Sequence, residues 1–197
     1  MPQVLIAFLV FLLGASMVSA QSPASVQLHP KPHEGYEIKG DKLYFRHGQA
    51  GLIMELATPE KIAQYYHERG SEVGNPFAKL GGELGNATIF LLTLVNRTNS
   101  NLTFTPRYVL AKIKSDAYFA LDYTVLLDII DSPDKSLGKL LEKSIYHSPE
   151  LLDPGKIVTK FLVFPELPKK FDELKVEFDY MYFGNFEIKT NFYFTTK

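Results

Sequence analysis

The stretch from Thr88 to Asn96, reading T-I-F-L-L-T-L-V-N, sets the strongest limit on what this chain can fold into. It is too short and too rich in β-branched and aromatic residues to make a comfortable helix. Alternation places Ile89, Leu91 and Val95 on one face and Phe90, Leu92 and Leu94 on the other. A strand that is apolar on both faces belongs inside a sheet, with cover on each side. The polar run N-R-T-N-S-N that follows is a turn, and more strand-like segments come after it.

Those segments share the same alternating pattern. Tyr36–Ile38 and Lys42–Arg46 flank Gly40-Asp41, a pair that favours hairpins, and Gly51–Leu56 is a third strand. Leu102–Thr105 and Tyr108–Lys114 are separated by Pro106-Arg107. Ile157–Phe164, Leu174–Tyr182 and Phe186–Phe194 complete the set. A helix is expected to open at Thr58-Pro59-Glu60, where Thr58 can cap the free amides and Pro59 suits the first helical position. It stops at Gly70 and gathers Ile62, Tyr65, Tyr66 and Arg69 on one side, to cap one end of a sandwich. Ser136–His147 is the clearest helix, with Leu137, Leu140, Leu141 and Ile145 at helical spacing and Ser136 available as its cap. A helical turn is expected from Leu121 to Ile130. The fold class is therefore mainly β: an antiparallel sandwich over 36–197 with two or three short helices, the helical insert lying at about 121–147.

The last two strands allow a register argument. Leu174, Val176, Phe178, Tyr180 and Tyr182 share one face, as do Phe186, Ile188, Phe192 and Phe194. A two-residue turn at Gly184-Asn185 would set Phe178 opposite Asn191, and a one-residue slip turns every side chain over. A three-residue loop, Phe183-Gly184-Asn185, repairs this. It sets Tyr182 opposite Phe186, Phe178 opposite Thr190 and Val176 opposite Phe192. Asp179 then faces Lys189, and Asn185 takes the left-handed conformation.

At the N-terminus, Val4–Leu13 is unbroken apolar sequence. Gly14, Ala15 and Ser16 follow, then Val18-Ser19-Ala20, with small residues three and one before Gln21. This layout predicts a signal peptide, 1–20, cleaved after Ala20. No Lys or Arg precedes the apolar run, and an uncleaved anchor is the alternative. No later run reaches spanning length. The chain is expected to be secreted or periplasmic, followed by a Pro-rich extended arm over 21–35. The absence of cysteine removes disulfides, thiol chemistry and cysteine-ligated metals, and the net charge of −1 gives no reason to expect a nucleic-acid partner.

No reaction motif stands out. G-x-S-x-G and H-E-x-x-H are absent, and His67-Glu68 has no second His four residues on. G-G-E-L-G (Gly81–Gly85) lacks the Gly-Lys-Ser/Thr of a phosphate loop. His29 and His33 bracket prolines that fix metal geometry poorly. Asp128, Asp131 and Asp134 lack the density of a calcium loop. No catalytic residue, metal or cofactor is expected. Asn86, Asn96 and Asn101 each begin a glycosylation sequon, although Asn86 and Asn96 also suit the turns flanking the organising strand. Tyr118, Tyr123, Tyr180 and Tyr182 are candidate ligand-contact aromatics, since ring faces stack on sugars and peptides.

The strand ending V-N-R-T (Val95–Thr98), the segment Ser115–Tyr118, and L-L-D-P-G-K-I-V-T-K-F-L-V-F-P (Leu151–Pro165) before two closing strands form a recurring order. Over Ala87–Phe194 the chain resembles the immunoglobulin-like modules of bacterial secreted and cell-envelope proteins. The helical insert departs from a plain sandwich, and the Cys and Trp signature of antibody domains is absent. The resemblance implies an interaction or structural role, with no catalytic residue to carry across. The expected function is an exported, non-catalytic envelope protein acting through protein–protein contacts. The alternative is a secreted carbohydrate-binding module or hydrolase with an aromatic cleft. The Pro-rich arm and the C-terminal strand are candidate contact elements, unless they close their own sheet.

Overall fold

Among the described residues, alternating apolar runs separated by Gly, Pro and Asn turns give twelve strands in two antiparallel sheets. A computed structural model of the chain describes residues 27–79, 86–122, 124–125 and 135–196. The expected signal peptide, Gly81–Gly85, Tyr123, the three aspartates at 128, 131 and 134, and most of the turn toward Ile130 lie outside the described residues.

The strands are β1 (Leu28–Pro30), β2 (Tyr36–Lys39), β3 (Lys42–His47), β4 (Ala50–Leu56), β5 (Thr88–Asn96) and β6 (Leu102–Phe104). They continue with β7 (Val109–Ile113), β8 (Asp116–Phe119), β9 (Glu150–Leu152), β10 (Ile157–Phe164), β11 (Leu174–Phe183) and β12 (Phe186–Thr196). Helices α1 (Pro59–His67) and α2 (Lys135–Ser144) accompany them. One sheet runs β10-β5-β4-β3-β2. The other runs β1-β12-β11, and β11 then pairs with β6 along one part and β7 along another, with β9 and β8 outside them. Among the described residues no helix is long and apolar enough to cross a membrane.

The strand at Thr88–Asn96 does what its sequence requires. Phe90, Leu92 and Leu94 are fully buried in a core shared with Phe104, Phe178, Phe192 and Phe194 of the opposite sheet. Ile89 and Leu91, on its other face, belong to a second cluster with Ile62, Tyr65, Tyr66, Leu137, Leu141, Phe161 and Val163. The helices therefore lie on the outer face of the five-stranded sheet, and α1 does not cap an end of the sandwich. Thr58 caps α1 as expected, its Oγ1 accepting from the Lys61 amide at 3.4 Å. Lys135 already lies in α2, so Ser136 sits inside the first described turn rather than before it.

The closing hairpin corrects the predicted loop. Gly184-Asn185 is a two-residue turn after all, with Phe183 opposite Phe186 and Met181 opposite Ile188. Gly184 has φ +58 and Asn185 is not left-handed, a pattern that suits a type II′ turn. Farther along, Phe178 stands opposite Thr190 and Val176 opposite Phe192, as the buried face demanded. The two registers are joined by a bulge at Asp179-Tyr180, where Tyr180 adopts φ +56. After the bulge the inward positions become Met181 and Phe183, which leaves Tyr180 outside and Asp179 without its place opposite Lys189.

Leu28–Pro30 of the Pro-rich arm pairs with the C-terminal strand. Leu28 stands opposite Thr196 and Pro30 opposite Phe194, and the His33 ring stacks on Tyr193 at 4.3 Å. Proline is tolerated there because β1 is an edge.

Candidate functional site

The outer face of the five-stranded sheet is divided. Its first half carries the outward residues Leu91 and Phe161 under α1 and α2. The Phe161 ring lies 4.5 Å from Tyr65 and 5.5 Å from Phe77. Tyr65 donates its hydroxyl to the Thr159 carbonyl at 3.0 Å, and the Tyr66 hydroxyl meets Ser144 Oγ at 2.5 Å, joining the two helices. Burial pushes the Tyr66 phenol well above its ordinary range, so it stays neutral and remains able to donate. Glu55, almost fully buried, receives Lys61 of α1 at 2.7 Å and Lys42 of β3 at 2.9 Å. Lys61 also reaches Asp41, and that contact holds the Asp41 carboxyl below its ordinary value.

Among the described residues the second half has no such cover. Arg46, Gly51, Val95 and Ile157 stand opposite one another across β3, β4, β5 and β10. In the next row, Tyr44, Ile53 and Thr93 do the same. Tyr44, Arg46, Gln49, Gly51, Ile53, Val95 and Arg97 help line an open groove of about 500 Å³. Ile157 extends its apolar floor and is 53% exposed. Gly51 keeps the floor low: a Cβ there would lie 2.7 Å from the Phe45 carbonyl oxygen. Neither Arg46 nor Arg97 has a carboxylate oxygen within 4.0 Å among the described residues. Glu37, the nearest-strand acid, pairs with Lys39 at 2.9 Å, and its carboxyl is lowered by Lys39 first and by the more distant Arg46 last.

The expected site residues fall elsewhere. Tyr118 stands opposite Ala111 and packs, half-buried, against the inter-sheet core. Tyr180 is 47% exposed on the outer side of the other sheet, its ring 4.4 Å from Tyr108. Tyr182 is half-buried beside Thr103 and Glu187. None of the three lines the 500 Å³ groove or a second, charged groove of about 330 Å³ around Lys112, Lys175 and Glu177. Asn96 is fully buried. Its amide donates to the carbonyls of Ser100 and Leu152 at 2.9 and 2.8 Å, while its oxygen accepts from Thr98. This side chain locks the turn and offers no nitrogen to a glycan in the folded chain. Asn86 and Asn101 are exposed. Asn86 donates to Glu166 at 3.3 Å.

No local motif marks the groove, because its residues come from three strands and meet across the chain direction. A signal was present nonetheless. Ile53 and Val95 sit on the outward parity of strands whose inward residues already fill the core, and two short helices cannot cover five strands. No family model matches the chain, and no curated protein and no solved structure matches it.

Proposed function

We propose that this chain is an exported, non-catalytic binding protein that acts outside the cytoplasm through protein–protein contacts, and that the open half of the five-stranded sheet is its contact surface. One observation carries the reading. A face built from Ile53, Val95 and Ile157, with Arg46 and Arg97 at its margin, is left uncovered while the adjoining half of the same face is sealed by helices. Exposed apolar surface next to unpaired cations is costly to maintain without a partner. The N-terminal apolar run with its small-residue cleavage pattern supports export.

The pairing also supports an immunoglobulin-like reading of Ala87–Phe194. β5 lies beside β10 in one sheet and β7-β11-β12 run together in the other, as strands B–E and C–F–G do in such domains. β2 and β3 then extend the first sheet, and the helices are an addition to its outside. The alternative, a carbohydrate-binding module or hydrolase, would use Tyr118, Tyr123, Tyr180 and Tyr182; of the three that are described, Tyr180 is the exposed one, and its ring pairs with Tyr108 and lines neither groove.

The test is a photo-cross-linking amino acid placed at Tyr44 in the full chain, expressed in the cells that make it. A protein adduct in the extracytoplasmic fraction is expected. Retention of the chain in the cytoplasm, or adducts from Lys189 on the opposite sheet with none from Tyr44, would contradict the proposal.

A further inference from the structure

The covered half of the face indicates what the uncovered half receives. Over the first half the sheet presents an acid, Glu55, and α1 brings Lys61 to it, while Ile62, Tyr65 and Tyr66 of α1 lie over Ile89, Phe161 and Val163. Over the second half Glu37, opposite Tyr44, is already paired with Lys39, and the charges left over among the described residues are positive. Here the sheet supplies the cations Arg46 and Arg97 beside apolar Ile53, Val95 and Ile157. Backbone geometry narrows the occupant further. β4 and β5 are hydrogen-bonded to neighbours on both sides, so this face offers side chains and no free ladder. An extended strand laid on it would leave its own amides unpaired, whereas a helix satisfies its own. The row across β3, β4, β5 and β10, with Arg46 at one margin and Ile157 at the other, spans about 14 Å, enough to seat one helix about 10 Å wide. Gly51 at its centre lets such a helix approach closely.

We infer that the groove receives an acidic amphipathic helix from a partner protein, lying beside α1 as a further helix of the same layer. This rests on the proposed contact surface and adds the chemistry of the partner. The apolar side of that helix covers Ile53, Val95 and Ile157, and its carboxylates meet Arg46 and Arg97.

Three labelled synthetic peptides of about four helical turns test this against the chain from Gln21 onward, read by fluorescence anisotropy. One carries Leu at i, i+3, i+4 and i+7 flanked by Glu. The second replaces each Glu with Lys. The third scrambles the first. The Glu peptide is expected to bind at least tenfold more tightly than either control and to weaken with added salt. The double variant R46E/R97E is expected to lose that preference by tenfold or more and to gain affinity for the Lys peptide. Both arginines are exposed, so the thermal midpoint of the variant serves as the folding control and should not move. Equal binding of the three peptides, no binding of any, or an unchanged preference in R46E/R97E would overturn the inference. A cross-link from Tyr44 to a partner alongside such a failure would leave the contact surface standing and refute only the acidic helix.

Discussion

Two halves of one sheet face, built from the same four strands, have different surroundings. Under α1 and α2 the outward side chains Ile89, Phe161 and Val163 are as buried as the inter-sheet core. A few residues along the same strands, Val95 and Ile157 meet solvent. Strand sequence alone does not separate them, since both halves mix apolar and polar outward residues: Ile89, Phe161 and Val163 beside Glu55 in the first, Ile53, Val95 and Ile157 beside Arg46 and Thr93 in the second. What differs is cover. The first half has ion pairs and ring contacts with helices of its own chain. The second has unpaired arginines and a groove. Among the described residues, the chain lays its own third layer over one half of the face.

The largest expected effect contrasts the halves within β10. Phe161→Ala empties a fully buried site between Tyr65 and Phe77 and should lower unfolding free energy by about 3–5 kcal/mol in a denaturant titration. Ile157→Ala, four residues earlier, should change it by no more than about 0.5 kcal/mol. Equal losses would mean that the two halves are covered alike. Next comes Gly51→Ala, where the new methyl would press on the Phe45 carbonyl. A loss of about 1–3 kcal/mol in the same titration is expected even though the position lies on the open half. Tyr66→Phe removes the hydroxyl that joins α1 to α2. It should cost about 1 kcal/mol, because Ser144 Oγ keeps the Leu140 carbonyl as an acceptor at 2.9 Å.

The smallest effect is in acid. Lys61 depresses the Asp41 carboxyl. At Glu177 burial acts upward but is outweighed by Lys112 and Lys175, so that carboxyl is lowered too. A lowered folded-state value contributes stability above the ordinary carboxylate range, and that contribution is lost as pH falls through the folded value. The thermal midpoint should therefore drop below about pH 4. Lys61→Met should flatten part of that drop, while Arg97→Met, which breaks no ion pair among the described residues, should leave it unchanged.

Much of this was legible in the chain. The organising strand, the β2–β3 hairpin at Gly40-Asp41, the Thr58 cap and the Ile157–Phe164 strand follow from local alternation and turn chemistry. The closing hairpin shows where local reasoning falls short. A two-residue turn and the buried face each imply a register, and the registers conflict by one residue. The chain keeps both by inserting Tyr180 as a bulge, opposite the Pro106–Tyr108 turn that interrupts the neighbouring strand. β9 was missed because it is three residues long and is held by its partner strand rather than by its own pattern; β1, equally short, was foreseen only as part of an arm that could close its own sheet with the C-terminal strand, as it does. The groove was hidden for a related reason. Tyr44, Ile53 and Val95 are neighbours only after strand pairing sets their rows.

Thiol labelling tests the central contrast most directly, because the natural chain has no cysteine to interfere. Single variants Ile53→Cys, Ile89→Cys and Lys189→Cys are treated with a maleimide, first as isolated protein and then in the fraction of the producing cells that holds the protein. Ile53→Cys should label rapidly in isolation and at least tenfold more slowly in the cell fraction. Lys189→Cys should label alike in both, and Ile89→Cys should be protected in both. If Ile53→Cys is as protected as Ile89→Cys in isolation, or reacts at one rate in both settings, the open half is not a partner surface.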